Sequence, residues 1–264
     1  MNLKRIIQII ALIIHNSYIP ALFNGGLYQG FLKKGCTPIL NCWGCPLAWY
    51  SCPMGALQHF IGLRLIPYYI IGLFGTVGMI VGRMSCGWIC PFGFFQDLLY
   101  KIRSAKMKLP RWCSYFKYAM LVGAAIMVPY FIGEPWFCKL CPDGSLIAGI
   151  PLVLADKTGD LKALVGGYFY MKAAILVAVI LFSISIKRFF CRTLCPVGAI
   201  YSIFNRFSLL KIQIDKEKCI KCESCRMVCP MDVAIYQSSN HIDCIRCLDC
   251  VKVCPTNAIK YEVR

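Results

Sequence analysis

The apolar positions of this chain fall into long unbroken runs in its first four-fifths and into short alternating ones near its end. Four stretches, approximately residues 5–23, 61–82, 113–133 and 167–186, are apolar over the ~20 residues that a helix needs to cross a roughly 30 Å hydrocarbon core. Charged residues bracket them: Lys4 and Arg5 open the first, Arg83 follows the second, and Lys187 and Arg188 close the fourth. Charges at these positions belong at a membrane interface. From about residue 211 the pattern changes. The alternating LLKIQI reads as a strand, and AIY and AIKY follow two cysteine-rich segments. The expected architecture is a membrane α-helical bundle of about four transmembrane helices over 1–210, followed by a small α+β domain over 211–264.

Composition agrees. Hydrophobic residues make up 58% of 264 and charged residues 16%, too apolar for an ordinary soluble domain. The net charge of +17 at first suggests a nucleic-acid partner. Residues 211–264, however, hold nine Lys/Arg against seven Asp/Glu, so nearly all the excess lies in the apolar part. There it follows the positive-inside rule. Arg83, Lys101, Arg103, Lys106, Lys108 and Arg111 face a lone Asp97 between the second and third spans, whereas the next connection is acidic. The basic connection is expected in the cytoplasm, with both termini, in a multi-pass protein of the cell (inner) membrane. No nucleic-acid partner is needed to explain the charge.

Nineteen cysteines then decide the chemistry. No cleavable secretory leader is expected and the chain is far larger than a disulfide-stapled miniprotein, so ligation of metal is the better reading. CIKCESCRMVCP places Cys219, Cys222, Cys225 and Cys229 at C-x2-C-x2-C-x3-C-P, and CIRCLDCVKVCP repeats the spacing at Cys244, Cys247, Cys250 and Cys254. Three close thiolates wrap one face of a cubane and the fourth, before proline, reaches the other cluster. Two [4Fe-4S] clusters follow, one on Cys219, Cys222, Cys225 and Cys254, the other on Cys244, Cys247, Cys250 and Cys229. Zinc does not call for the third cysteine or the Cys-Pro.

A related Cys-Pro motif recurs at CPMGALQ, CPFGFFQ, CPDGSLI and CPVGAIY. If successive spans alternate in direction, these form an inverted repeat, with Cys52 and Cys141 outside and Cys90 and Cys195 inside. CGWICP and CRTLCP supply Cys86, Cys90, Cys191 and Cys195, four thiols for an inner cluster. The outer side offers Cys52, Cys138 and Cys141 plus Cys45 or Cys42, with Cys36 as a sixth candidate. Disulfides outside and free or redox-active thiols inside are the competing readings. One or two further clusters at the membrane faces are therefore expected. His15, His59 and Glu134 are the candidate quinone-site residues, weighed against packing, interfacial and solvated-loop roles. The tryptophans Trp43, Trp49, Trp88 and Trp136 fit an interfacial belt.

With CGWICPFG, CRTLCPVGA and the two terminal cysteine runs in view, the chain resembles the NapH/NosR-type polyferredoxin family of membrane iron-sulfur proteins. The resemblance implies membrane electron transfer without fixing a substrate. The leading expectation is a relay between a quinone pool, or an outer-face redox partner, and a cytoplasmic oxidoreductase docking at the ferredoxin domain. A membrane redox sensor or metal-site maturation factor is the alternative. No nucleotide fingerprint, haem attachment site or hydrolytic triad accompanies these motifs.

Overall fold

A computed structural model describes residues 3–21, 27–156, 159–163 and 165–263. The chain is mostly helical. Two helices are long and apolar enough to cross a membrane, Trp112–Ile132 and Gly167–Ser185, and they coincide with the third and fourth apolar stretches. The first two stretches come out shorter than read. Helix α1 covers Leu3–His15, and residues 22–23 of its stretch lie outside those described. The second stretch is divided: α2, Pro53–Gly62, ends before Pro67, and α3, Tyr68–Val81, follows. Proline cannot donate the helical N–H and pushes the residue before it out of the α region, which separates the two. The 14 residues of α3 span about 21 Å at 1.5 Å each.

Short helices then carry the Cys-Pro motifs. Helices α4 (Met84–Trp88) and α5 (Pro91–Leu99) precede the long α6 (Trp112–Ile132), whose Met120–Met127 turns are widened to π geometry. Next come α7 (Trp136–Leu140), α8 (Pro142–Ala155), α9 (Gly167–Ser185), α10 (Phe189–Thr193) and α11 (Pro196–Phe204). Each of α2, α5, α8 and α11 begins with proline at its first position, where the missing N–H costs nothing, and has its cysteine as an extended N-cap. Cys52, Cys90, Cys141 and Cys195 thus all join one continuous core with Met54, Ile70, Phe74, Phe92, Phe190 and Tyr201.

At the C-terminal end, β1 (Leu210–Ile214) pairs antiparallel with β2 (Ile259–Val263), Ile212 opposite Tyr261. At the first AIY, Ile235 and Tyr236 lie in a turn, and among the described residues only the second repeat supplies a partner for β1. Helices α12 (Ser224–Val228) and α13 (Asp249–Val253) pack on each other.

This part is tied firmly to the helical half. Arg246 donates to Val81 O and Asn205 O at 2.9 and 2.8 Å, Asn205 Nδ2 donates to Cys244 O at 2.6 Å, and Trp88 Nε1 donates to Arg246 O at 3.0 Å. Trp88 thus helps join the two parts of the chain. Gly82, at φ +60°, leaves the space that Asn205 and Arg246 occupy, since a Cβ there would lie within 2.5 Å of both.

Candidate functional site

The two terminal cysteine runs adopt the same unusual backbone. In the first, Lys221 and Glu223 flank Cys222 in the left-handed region; in the second, Arg246 and Leu248 flank Cys247 there. Asp232 and Asn257, each three residues after a Cys-Pro cysteine, repeat it again. Left-handed non-glycine residues each cost about 1–3 kcal/mol, and three matched pairs of them curl each loop so that its thiols turn inward. Cys219, Cys222, Cys225 and Cys254 line one small cavity, so the fourth thiol does come from the opposite run. Cys244, Cys247 and Cys250 gather with Cys229 in the same crossed manner.

The two gatherings differ in exposure. Burial pushes the Cys244 and Cys250 thiols up to about 11 and about 12, whereas the exposed Cys222 thiol is held below its ordinary value by the Ser224 hydroxyl. Cys250 lies within electrostatic reach of Cys225 of the other set.

In the helical half, repeats pair across the fold. Cys86, Cys90, Cys191 and Cys195 gather from α4, α5, α10 and α11. Cys52, Cys138 and Cys141 gather with Cys42, which faces Cys52, Cys138 and Cys141. Of the two alternatives for the fourth position, Cys45 turns elsewhere. Its Sγ lies 3.7 Å from Asn16 Oδ1, and it packs against Ala48 and Ala148. Cys36 is half-buried beside Cys52, held by a bridge to Ser51.

Several residues at these gatherings carry no sequence-level prediction. Gln58 and Gln96 each stand six residues after a Cys-Pro cysteine. Gln58 Nε2 donates to Cys138 Sγ at 3.2 Å while its Oε1 accepts from Phe137 N at 3.1 Å. Gln96 does the same to Cys191 Sγ at 3.1 Å and from Phe190 N at 3.0 Å. The glycine of each Cys-Pro-x-Gly also faces the opposing repeat. A Cβ on Gly55 or Gly144 would lie 3.6 Å from Cys138 Sγ or 3.3 Å from Cys42 Sγ, and one on Gly93 or Gly198 would meet Arg188 or Arg83 at 3.2 or 2.9 Å.

Those arginines close two of the apolar stretches. Arg83 and Arg188, expected at an interface, are fully buried. Arg83 pairs with Asp243 at 3.0 Å, and Lys117 pairs with the same carboxylate; Arg188 holds Asp97 through Nε at 2.7 Å and Nη2 at 2.5 Å. Burial alone would raise the Asp243 carboxyl, but Arg83 and Lys117 outweigh it and hold it below the ordinary range.

Of the candidate quinone residues, His59 is exposed and Glu134 is an exposed partner of Lys139. His15 ends α1 with Nδ1 2.6 Å from Ala11 O. None of the three lines the large cavity of about 1100 Å³, which is walled by Leu12 and Ile13 of α1, Phe92 and Phe95 of α5 and Leu146 of α8, with Asn41 and Asp143 in its wall. Both are nearly fully buried, and Asp143 Oδ2 and both Asn41 amide atoms have no hydrogen-bond partner.

Crossed sets of thiols on turned loops and helix N-caps are the ligand arrangement expected of an iron-sulfur protein. Comparison with known proteins gives the family. A family described as a 4Fe-4S binding domain matches residues 65–110, 118–157 and 169–215, and one described as a 4Fe-4S dicluster domain matches 211–255. The uncharacterized protein MJ0749 of Methanocaldococcus jannaschii is 31% identical over 74% of this chain and 71% of its own length. The ferredoxin-type protein NapH of Haemophilus influenzae is 26% identical over 85% and 71%. The regulatory protein NosR of Stutzerimonas stutzeri is 25% identical over 66% and 24%. No solved structure matches. The chain belongs to the NapH/NosR-type polyferredoxin family and is an iron-sulfur electron-transfer protein carrying [4Fe-4S] clusters.

Proposed function

We propose that the protein relays electrons through four [4Fe-4S] clusters between a quinone pool, or an outer-face redox partner, and a cytoplasmic oxidoreductase. Its cysteines divide into an outer set (Cys42, Cys52, Cys138, Cys141), an inner set (Cys86, Cys90, Cys191, Cys195), a proximal ferredoxin set (Cys229, Cys244, Cys247, Cys250) and a distal one (Cys219, Cys222, Cys225, Cys254). Residues 1–210 form the membrane domain and 211–264 the ferredoxin domain. Four apolar segments sit in the membrane, both termini face the cytoplasm, and the Cys-Pro repeats alternate between faces. The exposed apolar bodies of α6 and α9, including Phe131 and Leu181, support contact with lipid.

The observation that carries the reading is that the sets adjoin in series. The outer and inner thiols share one core, Cys86 of the inner set packs against Ile245 and Cys247 of the proximal set, and Cys250 faces Cys225 of the distal set. The clusters supply one-electron transfer; the protein supplies ligands, spacing and surroundings. For the quinone end, the large apolar cavity between α5 of the inner repeat and Asn41 and Asp143 has the size and the few polar groups of a small-molecule site. The acceptor end is the distal set, whose Cys222 is exposed for docking.

Anaerobic purification with iron counting tests this. Four clusters require about sixteen irons per chain, and a count near eight would leave only the ferredoxin pair. Reduction by a quinol analogue, read by electron paramagnetic resonance, distinguishes the quinone end from a protein donor.

A further inference from the structure

Read together, the inner repeats extend further than their cysteines. Arg83-x2-Cys86-x3-Cys90-Pro-x-Gly93 and Arg188-x2-Cys191-x3-Cys195-Pro-x-Gly198 are the same motif. The two copies exchange their arginines. Arg83 Nη2 donates to Cys191 O at 3.2 Å, and Arg188 Nη1 donates to Cys86 O at 3.0 Å. Each guanidinium lies over the glycine of the other copy, where a Cβ would intrude. Arg83 is thereby within electrostatic reach of Cys86, Cys191 and Cys195, and Arg188 of Cys191 and Cys247.

The outer set is built differently. The residue three before Cys138, where the inner copies carry arginine, is Pro135. The acidic side chain nearest its thiols is Asp143, which faces Cys42, Cys52 and Cys141 and also Cys90 of the inner set, and burial pushes its carboxyl up to about 8. Lys33 faces Cys42 and Cys45, with its ammonium bound to Ala48 O at 2.8 Å, and Lys172 faces Cys138. At the inner set three buried cations, Arg83, Arg188 and Lys117, meet two carboxylates, Asp97 and Asp243.

We propose that Arg83 and Arg188 are positioning residues that raise the reduction potential of the inner cluster. This rests on the four-cluster reading above. A reduced cluster carries one more negative charge than an oxidised one, and a buried cation close to its ligands favours the reduced form. A low-dielectric site keeps that interaction strong, and the backbone bond to the opposing cysteine fixes the charge in place.

The test is an anaerobic redox titration of the full chain, with electron paramagnetic resonance resolving each cluster. Arg188→Gln is expected to lower the inner midpoint by about 59 mV or more, a tenfold change in a one-electron equilibrium. Arg188→Lys, which keeps the charge, should recover most of that shift. Asp97→Asn should move the same midpoint upward, and this variant decides the matter if Arg188→Gln does not fold. An unchanged inner midpoint in Arg188→Gln with full iron, or a downward shift in Asp97→Asn, overturns the proposal. Wild-type iron near eight per chain would instead remove the four-cluster reading itself.

Discussion

The inner and outer cysteine sets start from one pattern and end in different surroundings. Both place a Cys-Pro cysteine at a helix N-cap, both use a glutamine six residues on to bind an opposing thiol, and both pack a glycine against the facing repeat. The inner set adds two arginines exchanged between its halves and is anchored through Asp243 to the C-terminal part. The outer set has no such anchor. The thiol of Cys42 faces it from a loop, and the buried Asp143 lies beside that thiol. A shared motif therefore secures the ligand geometry, while the residues just outside it decide the charge each site presents.

The largest expected effect that breaks the series is Cys90→Ser. Iron should fall from about sixteen to about twelve per chain, and the ferredoxin clusters should no longer be reduced from the outer face. Cys42→Ser and Cys45→Ser sharpen the outer assignment. The first should cost about four irons and the second none, by the same iron assay; equal losses would reject Cys42 as the fourth ligand.

Asp243→Ala leaves Arg83 and Lys117 buried without their shared carboxylate. Breaking a buried pair in this way costs about 3–5 kcal/mol, readable as a lowered midpoint in denaturant unfolding of the detergent-solubilised protein. Gly198→Ala should cost about 1–3 kcal/mol because its Cβ would meet Arg83 at 2.9 Å. Gly55→Ala, with 3.6 Å to Cys138 Sγ, should cost less than about 0.5 kcal/mol, so the inner site is the less forgiving of the two. The smallest effect is expected at Lys4→Ala, which removes a partly exposed pair with Asp249 worth about 1 kcal/mol or less.

Much of this was legible in the chain itself. The ferredoxin spacing assigned which thiol crosses to which cluster, because three close cysteines leave the fourth pointing away. The apolar length of α6 and α9 was readable because a helix of that length and composition has no polar face to show. The division of the second stretch was less visible: hydropathy averages over Pro67, and only the backbone registers it. The burial of Arg83 and Arg188 was not legible, because a charge at the end of an apolar run normally faces water. Their repeated position three residues before a C-x3-C-P pair was the signal that set them apart.

Sequence by itself determined the ligand chemistry, the paired repeats and the apolar segments, since these follow from local spacing and residue type. Tertiary structure alone placed Cys42 facing Cys52, Cys138 and Cys141, set each buried arginine against the opposite repeat, and put Asn41 and Asp143 in the wall of a cavity. Such choices join residues up to 160 positions apart, as in Arg83 and Asp243, and no local pattern encodes which distant partner will satisfy a buried charge.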